Sequence, residues 1–368
     1  MKFIPLSSPD IRQADIDAVT EVLMSGMLVQ GVNVNKFEDS FCRVTGSKSA
    51  IAVSNGTATM HLALIALGIG KGDEVIVPAF SYIATANVVE LVGATPVFVD
   101  IDLATFNIDV NKIEHNISKK TKAIIPVHEF GLACDIEKVM HIANKYNLHV
   151  IEDAACALGA TQNNKGVGTF GTFGSFSFHP RKAISSGEGG IVSVQDSILD
   201  RKIRILRNHG IEYVDGSMEF VEAGFNYRMT DFQAALVASQ MTRFNEILTT
   251  KRTLADGYYS LINRNRVSLP TVPYDRPHTW QTFHVLINES IDRDKLIHAM
   301  KDNGIGTNYG AQCIPAQKYY YKKYSLNSAE DYPNAWKAYK TGLALPLYEK
   351  LNSSQIEYIS EVINKLTK

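Results

Sequence analysis

Residues Gly171 to Val194 read GTFGSFSFHPRKAISSGEGGIVSV. Aromatic residues alternate with Gly, Ser and His from Phe173 to His179, the period-two pattern of a strand. Pro180 ends the strand by removing a backbone donor. Lys182 follows on a short bend. Ser185 to Gly190 is a glycine-rich turn into a second strand, Ile191 to Val194. A lysine at a strand end, among hydroxyls and glycines, is suited to hold a carbonyl-bearing cofactor as a Schiff base. It does so when its neighbours keep the amine neutral and fix its stem. The plainer reading is a surface lysine on a hairpin, and this stretch alone leaves the two level.

On the N-terminal side the pattern alternates. Strands are expected at 50–54, 74–77, 95–99, 123–127 and 149–152. Helices are expected at 57–67, 82–91, 111–116 and 136–146, the last capped by Asp135. Before them come an extended arm with Pro5 and Pro9, a helix over 11–25 capped by Asp10, and a helix over 35–45 with Phe37, Phe41 and Val44 on one face. Strands alternating with helices of this length imply an α/β fold, a mostly parallel mixed sheet with helices on both faces. Ligands of such sheets gather beyond the carboxyl ends of the strands. On the C-terminal side one long helix is expected over 230–253. Proline then punctuates the chain, and a strand (281–287), a helix (293–303), a Tyr-rich loop (319–324) and a last helix (353–366) follow. The expected division is a large domain with its arm over residues 1–250 and a smaller α/β domain over 251–368.

Composition excludes several classes of function. The 368 residues carry a formal net charge of −1, so no basic field suggests nucleic acid or an anionic membrane. The cysteines, Cys42, Cys134, Cys156 and Cys313, form no CxxC pair, which argues against a zinc site or a disulfide framework and suits a reducing cytoplasm. No apolar run approaches the ~18 residues of a membrane span, and the N-terminus has no signal pattern.

Candidate chemistry follows the strands. Ser54-Asn55-Gly56-Thr57-Ala58 opens a helix, and the free amides of Thr57 and Ala58, with the Thr57 hydroxyl, form an anion site. Ordinary capping explains it equally well. Tyr82, in Phe80-Ser81-Tyr82, could stack on a planar cofactor or simply pack in the core. Ile151-Glu152-Asp153-Ala154-Ala155 ends an apolar strand in carboxylates. Asp153 is placed to bond a protonated heteroaromatic nitrogen, with Mg²⁺ as the alternative partner. Burial raises such a carboxyl's pKa and a nearby cation reverses the shift. Asn226 and Arg228, in Gly224 to Met229, could donate to a phosphate or sit on a surface turn, and His209-Gly210 is a similar polar loop. No GxGxxG or GxxxxGK[ST] loop points to a generic nucleotide binder.

Taken in order, SNGTA, PAFSYIATAN, PVHEFG, IEDAACALGA, FSFHPRKAISSGEGG, RNHG and GFNYRMTDFQAA resemble the DegT/DnrJ/EryC1/StrS family. The resemblance runs from near Phe3 to Leu351. It implies the fold type I, aspartate aminotransferase-like architecture and pyridoxal 5′-phosphate as cofactor. Lys182 falls where the family carries its Schiff-base lysine, and Asp153 where an Asp meets the pyridine nitrogen. Tyr82 matches the ring stacked on the cofactor. Gly56, Thr57 and Ser177 match the phosphate cup, and Asn226 matches a phosphate contact from a partner subunit, which implies a homodimer. The implied reaction moves the amino group of L-glutamate onto a keto-sugar linked to a nucleotide, with Lys182 as the proton carrier. Arg181, Arg228 and His209 are the candidates for the substrate's anionic groups. Two departures stand out. Cys156 lies where the family often has Gln or His against the cofactor's phenolic oxygen, and a thiol is a weak donor. The loop Tyr309 to Cys313 lacks a His-Tyr-Pro type sequence, which leaves the sugar open. A dehydratase subgroup carries His in place of the lysine, and a non-catalytic regulator would need no Lys182–Asp153 pair; this chain has both residues.

Overall fold

The apolar runs between polar turns assemble into a seven-stranded sheet in the computed structural model, which describes residues 3–368. Met1 and Lys2, the first residues of the expected arm and large domain, lie outside the described residues. The strands are β1 (Ser49–Val53), β2 (Glu74–Pro78), β3 (Thr95–Val99), β4 (Thr121–Ile124), β5 (His149–Asp153), β6 (Phe173–Ser177) and β7 (Gly190–Val194). Their order across the sheet is β1-β7-β6-β5-β4-β2-β3. The pairings from β6 to β3 are parallel, whereas β7 runs antiparallel to both β6 and β1. All strands except β7 therefore end on the same edge.

Both faces of the sheet are covered, as the nearly continuous apolar strands require. Successive residues of a strand face opposite ways. Thus Ile51 and Val53 join a core with Met60, Leu64 and Val88, while Ala50 and Ala52 join one with Phe37, Phe41 and Val237. Helices α1 (Gln13–Ser25), α2 (Val32–Thr45), α3 (Gly56–Ala66), α4 (Ala84–Leu91), α5 (Ile136–Tyr146) and α6 (Ser197–Arg207) contribute these layers, with α7 (Asp231–Met241) beside α1 and α2. Among the described residues no helix is long and apolar enough to cross a membrane.

Helix α8 (Phe244–Leu261) leads to a second apolar cluster built on a three-stranded antiparallel sheet, Val267–Ser268, Phe283–Ile287 and Gly342–Leu345. Arg293–Asp302 and Ser353–Leu366 are helices packed on it, and Ile4 from the arm joins the same cluster. The stretch from Ala311 to Ala338 instead packs its apolar side chains on the core of the large sheet.

Three expectations are corrected. The helix expected over 230–253 is two, α7 and α8, broken at Thr242 and Arg243. The Thr242 hydroxyl donates to Ser239 O, and the Arg243 guanidinium donates to both carboxylate oxygens of buried Asp15 at 2.7 and 2.8 Å. That tertiary contact outweighs helix continuity. The Tyr-rich stretch expected as a loop is a helix, Lys318–Tyr324. Tyr320 is fully buried and its hydroxyl donates to Asn87 Oδ1 at 2.6 Å, while Tyr324 donates to Glu90 Oε1 at 2.5 Å. Docking on α4 overrides the weak helix propensity of tyrosine. Asp10 does not cap α1; it pairs with Arg12, the N-cap residue, at 2.7 Å.

Candidate active site

The turn after β1 enters α3 through Asn55, whose side-chain oxygen accepts from Ala58 N at 2.9 Å. The Ala58 amide, expected to be free, is thus taken by the cap, and it is the amides of Gly56 and Thr57 that have no acceptor inside the helix. They form a seat for an anion, favoured by the helix dipole. Gly56 is required there, since a Cβ would lie 2.8 Å from Ser177 Cβ. At Gly190 a Cβ would come within 2.4 Å of Asn55 O. These two glycines let the turn after β1 close against the end of β6 and the start of β7.

Beyond Ser177 the chain turns through His179-Pro180-Arg181 to Lys182, whose amide donates to His179 O at 2.8 Å. Ser186 N and the Ser185 hydroxyl both donate to Phe178 O at 3.0 Å, and Gln281 Nε2 donates to Arg181 O at 2.9 Å. The base of the Lys182 stem is thus fixed on both sides. Its Nζ, half-buried, donates to Cys156 Sγ at 2.9 Å. Burial pushes the Cys156 thiol pKa up, with the Lys182 charge working against it.

Asp153 ends β5 and is 5% exposed. Its Oδ2 accepts from Thr85 Oγ1 at 2.8 Å and its Oδ1 from Ala155 N at 3.2 Å. Burial raises the carboxyl pKa, and these donors and Lys182 reduce the shift without reversing it. Among the described residues no ion pair reaches the carboxylate, and its two bonds come from neutral donors.

These groups open into one cavity of about 610 Å³. Gly56, Thr57 and Ser177 line it from the β1 and β6 side. Asp153, Cys156 and Lys182 line it from the centre of the sheet, and Arg181 and Tyr82 also reach it. Tyr82 is 60% exposed, with its ring open to solvent. Three residues singled out in the sequence do not line it. Asn226 is exposed and joined to Asn208 by a backbone bridge; His209 is exposed; Arg228 donates through Nη1 to Asn208 Oδ1 at 2.5 Å.

The cavity also contains residues that the motif reading passed over. Thr85, which holds Asp153, lies four residues after Ser81 in the first turn of α4, a spacing that is visible only once Asp153 is placed. His61 lines the wall and bonds through Nδ1 to the Tyr227 hydroxyl at 3.2 Å. Glu129, inside PVHEFG, is 4% exposed and lines the same cavity. Its signal was the one used for Asp153, a carboxylate just beyond an apolar strand.

The expected cofactor is a flat pyridine ring bearing an aldehyde and a phosphate. The residues fit it on three counts. The Gly56–Thr57 amides suit the phosphate, buried Asp153 has no ion-pair partner among the described residues and could take a protonated ring nitrogen, and the Lys182 amine opens into the same cavity for the aldehyde.

The comparisons agree with that fit. The DegT/DnrJ/EryC1/StrS aminotransferase family matches residues 9–364. An uncharacterized protein of Methanocaldococcus jannaschii, MJ1066, is 37% identical over 378 residues, spanning 99% of this chain and 97% of its own. Spr1654 of Streptococcus pneumoniae, assigned as a sugar aminotransferase and solved in its PLP-form, superposes with a TM-score of 0.94 at 29% identity, over 99% of this chain and 98% of that one. PseC of Helicobacter pylori, an aminotransferase involved in the biosynthesis of pseudoaminic acid, superposes with a TM-score of 0.93 at 27% identity, over 100% and 99%. The chain belongs to the DegT/DnrJ/EryC1/StrS aminotransferase family, as an aminotransferase that works with pyridoxal 5′-phosphate.

Proposed function

We propose that the chain moves the amino group of L-glutamate onto a keto-sugar carried by a nucleoside diphosphate, and that two copies share their active sites in a homodimer. The observation that carries the reading is the placement of Lys182 and Asp153 in one cavity with the free helix start at Gly56 and Thr57. Pyridoxal phosphate, when bound, supplies an electron sink that lets a C–H bond beside an amino group break.

The chain's residues do the rest. The Gly56 and Thr57 amides and the Ser177 hydroxyl hold the phosphate, joined by Asn226 of the partner subunit. Asp153 keeps a proton on the ring nitrogen, and Thr85 keeps Asp153 aimed. Tyr82 covers one face of the ring. The Lys182 amine, on a stem fixed at its base, moves a proton to and from the substrate carbon as general base and then acid. Arg181 is the cavity's candidate for a carboxylate of glutamate or the sugar diphosphate; Arg228 and His209 serve only if a second copy brings them to the site. A cavity of about 610 Å³ is in the range of ligand pockets and leaves room for more than the cofactor. The role of PseC in making pseudoaminic acid supports a sugar acceptor. The same reading assigns residues 1–250 to cofactor binding and 251–368 to a smaller covering domain. It places the enzyme in the cytoplasm, where its free cysteines stay reduced.

The experiment is a screen of nucleotide keto-sugars with L-glutamate, following 2-oxoglutarate release. The expected result is release with at least one member, absent in Lys182→Ala. Release from Lys182→Ala at the wild-type rate would remove Lys182 from its role. No release with any nucleotide-linked acceptor would remove the proposed substrate class.

A further inference from the structure

Glu129 is the buried acid of the cavity that the mechanism leaves unused. Three observations place it. Its backbone is held in a strained turn: Phe130 has φ 55°, a left-handed conformation costly for a bulky residue, and Gly131 follows at φ 102°. Packing enforces that turn. Phe130 stacks on His284 at 4.4 Å, Glu129 N donates to Asn107 Oδ1 at 2.8 Å, and Thr279 N donates to Gly131 O at 2.9 Å. The turn keeps Glu129 at the cavity that Ser81, Asp153, Cys156 and Lys182 also line.

The order of the sheet gives the side. Gly56 and Thr57 follow β1, Ser177 ends β6, Asp153 ends β5, and Glu129 follows β4 on the opposite flank of β5. On a pyridoxal ring the phosphate arm and the phenolic oxygen flank the aldehyde carbon on opposite sides. If Gly56, Thr57 and Ser177 hold the phosphate and Lys182 takes the aldehyde, the oxygen-bearing edge would face β4.

We propose that Glu129 is a positioning residue for the cofactor, its protonated carboxyl donating a hydrogen bond to the phenolic oxygen. This rests on the functional reading above and supplies the donor that Cys156 cannot supply well. The groups facing Glu129 permit it. Burial and the Asp153 charge push its carboxyl up to about 8, against the Lys182 charge, so it carries its proton at neutral pH. An ionised Glu129 would instead repel the oxygen.

A donor on that oxygen stabilises its negative charge and weakens its hold on the proton of the neighbouring lysine-bound nitrogen. Losing the donor therefore raises the pH at which the visible absorbance of the lysine-bound cofactor titrates. In the holoenzyme, Glu129→Leu is expected to raise that midpoint by about one unit, tenfold in proton affinity. Glu129→Gln, which keeps a donor and the shape, is expected to stay within a few tenths of the wild type. An infrared measurement guards against misfolding of the leucine variant: wild-type holoenzyme at pH 7 should show the carbonyl stretch of a protonated buried carboxyl, absent from Glu129→Gln. Unchanged midpoints in both variants, a lowered midpoint in Glu129→Gln, or no such stretch in the wild type would each overturn the proposal while leaving the function intact. A wild-type protein that takes up no cofactor would overturn the reading of the site itself, and Glu129 with it.

Discussion

Lys182 and Asp153 differ in how much their surroundings constrain them. Lys182 is fixed at its base and held at its tip by the single bond to Cys156 Sγ, whereas Asp153 is held at both oxygens. Asp153→Ala is expected to lower turnover by about 10²–10³-fold, the scale of losing one preorganised charge; steady-state rates check it. Thr85→Val removes a donor that favours the charged form of Asp153. The Asp153 pKa then rises further, and the acid limb of the pH–rate profile moves to higher pH. An unmoved limb would show that Thr85 does not aim Asp153. At this scale the sequence led to residues at or beyond strand ends within recognisable motifs, and three of them, Lys182, Asp153 and Gly56, line one cavity. Thr85 and Glu129 were hidden because their importance lies in what they face. A helical Thr gives no such signal, and Glu129 shares with Asp153 only that of a carboxylate just beyond an apolar strand.

Elements were legible where period and caps agreed. Ile136–Tyr146, with Asp135 at its N-cap, and Thr95–Val99 have the bounds expected from their residues. The long helix failed at Arg243 because its partner, Asp15, is remote in the chain. The tyrosine stretch failed because its partners, Asn87 and Glu90, are on α4. The amphipathic helix α6 was passed over, yet it anchors the layer behind β1. Buried Glu38 on α2 pairs with Arg204 at 3.0 Å and Arg207 at 3.1 Å, and accepts from Ala52 N at 2.8 Å. Removing one partner strands a buried charge. Glu38→Ala is expected to cost about 3 kcal/mol in denaturant unfolding, and a loss below about 1 kcal/mol would show that water reaches Arg207.

The whole molecule leaves apolar groups uncovered: Met24 is 84% exposed in the last turn of α1, and Phe220 is 69% exposed on the hairpin Ile211–Phe220. A second copy would cover such groups. Sedimentation is expected at twice the chain mass, with Phe220→Glu shifting it toward the monomer and weakening turnover; a monomeric, fully active wild type would contradict the shared site. Stability should also depend on pH. Burial pushes His278 down to about 3, with its Nδ1 accepting from Trp280 N at 2.8 Å. Between pH 6.5 and 3 the unfolded chain binds a proton that the folded chain refuses, so stability falls as pH falls. His278→Asn keeps an acceptor and loses the titration. It should recover about 2 kcal/mol of the loss between pH 7 and pH 5, and an identical loss in both proteins would mean that His278 titrates freely. The central claim is tested most directly by borohydride reduction of the protein purified with pyridoxal phosphate, followed by peptide mass spectrometry. The account predicts a pyridoxyl group on the peptide containing Lys182 and on no other lysine, and its loss when L-glutamate is added first. A label on another lysine, or none, would contradict it.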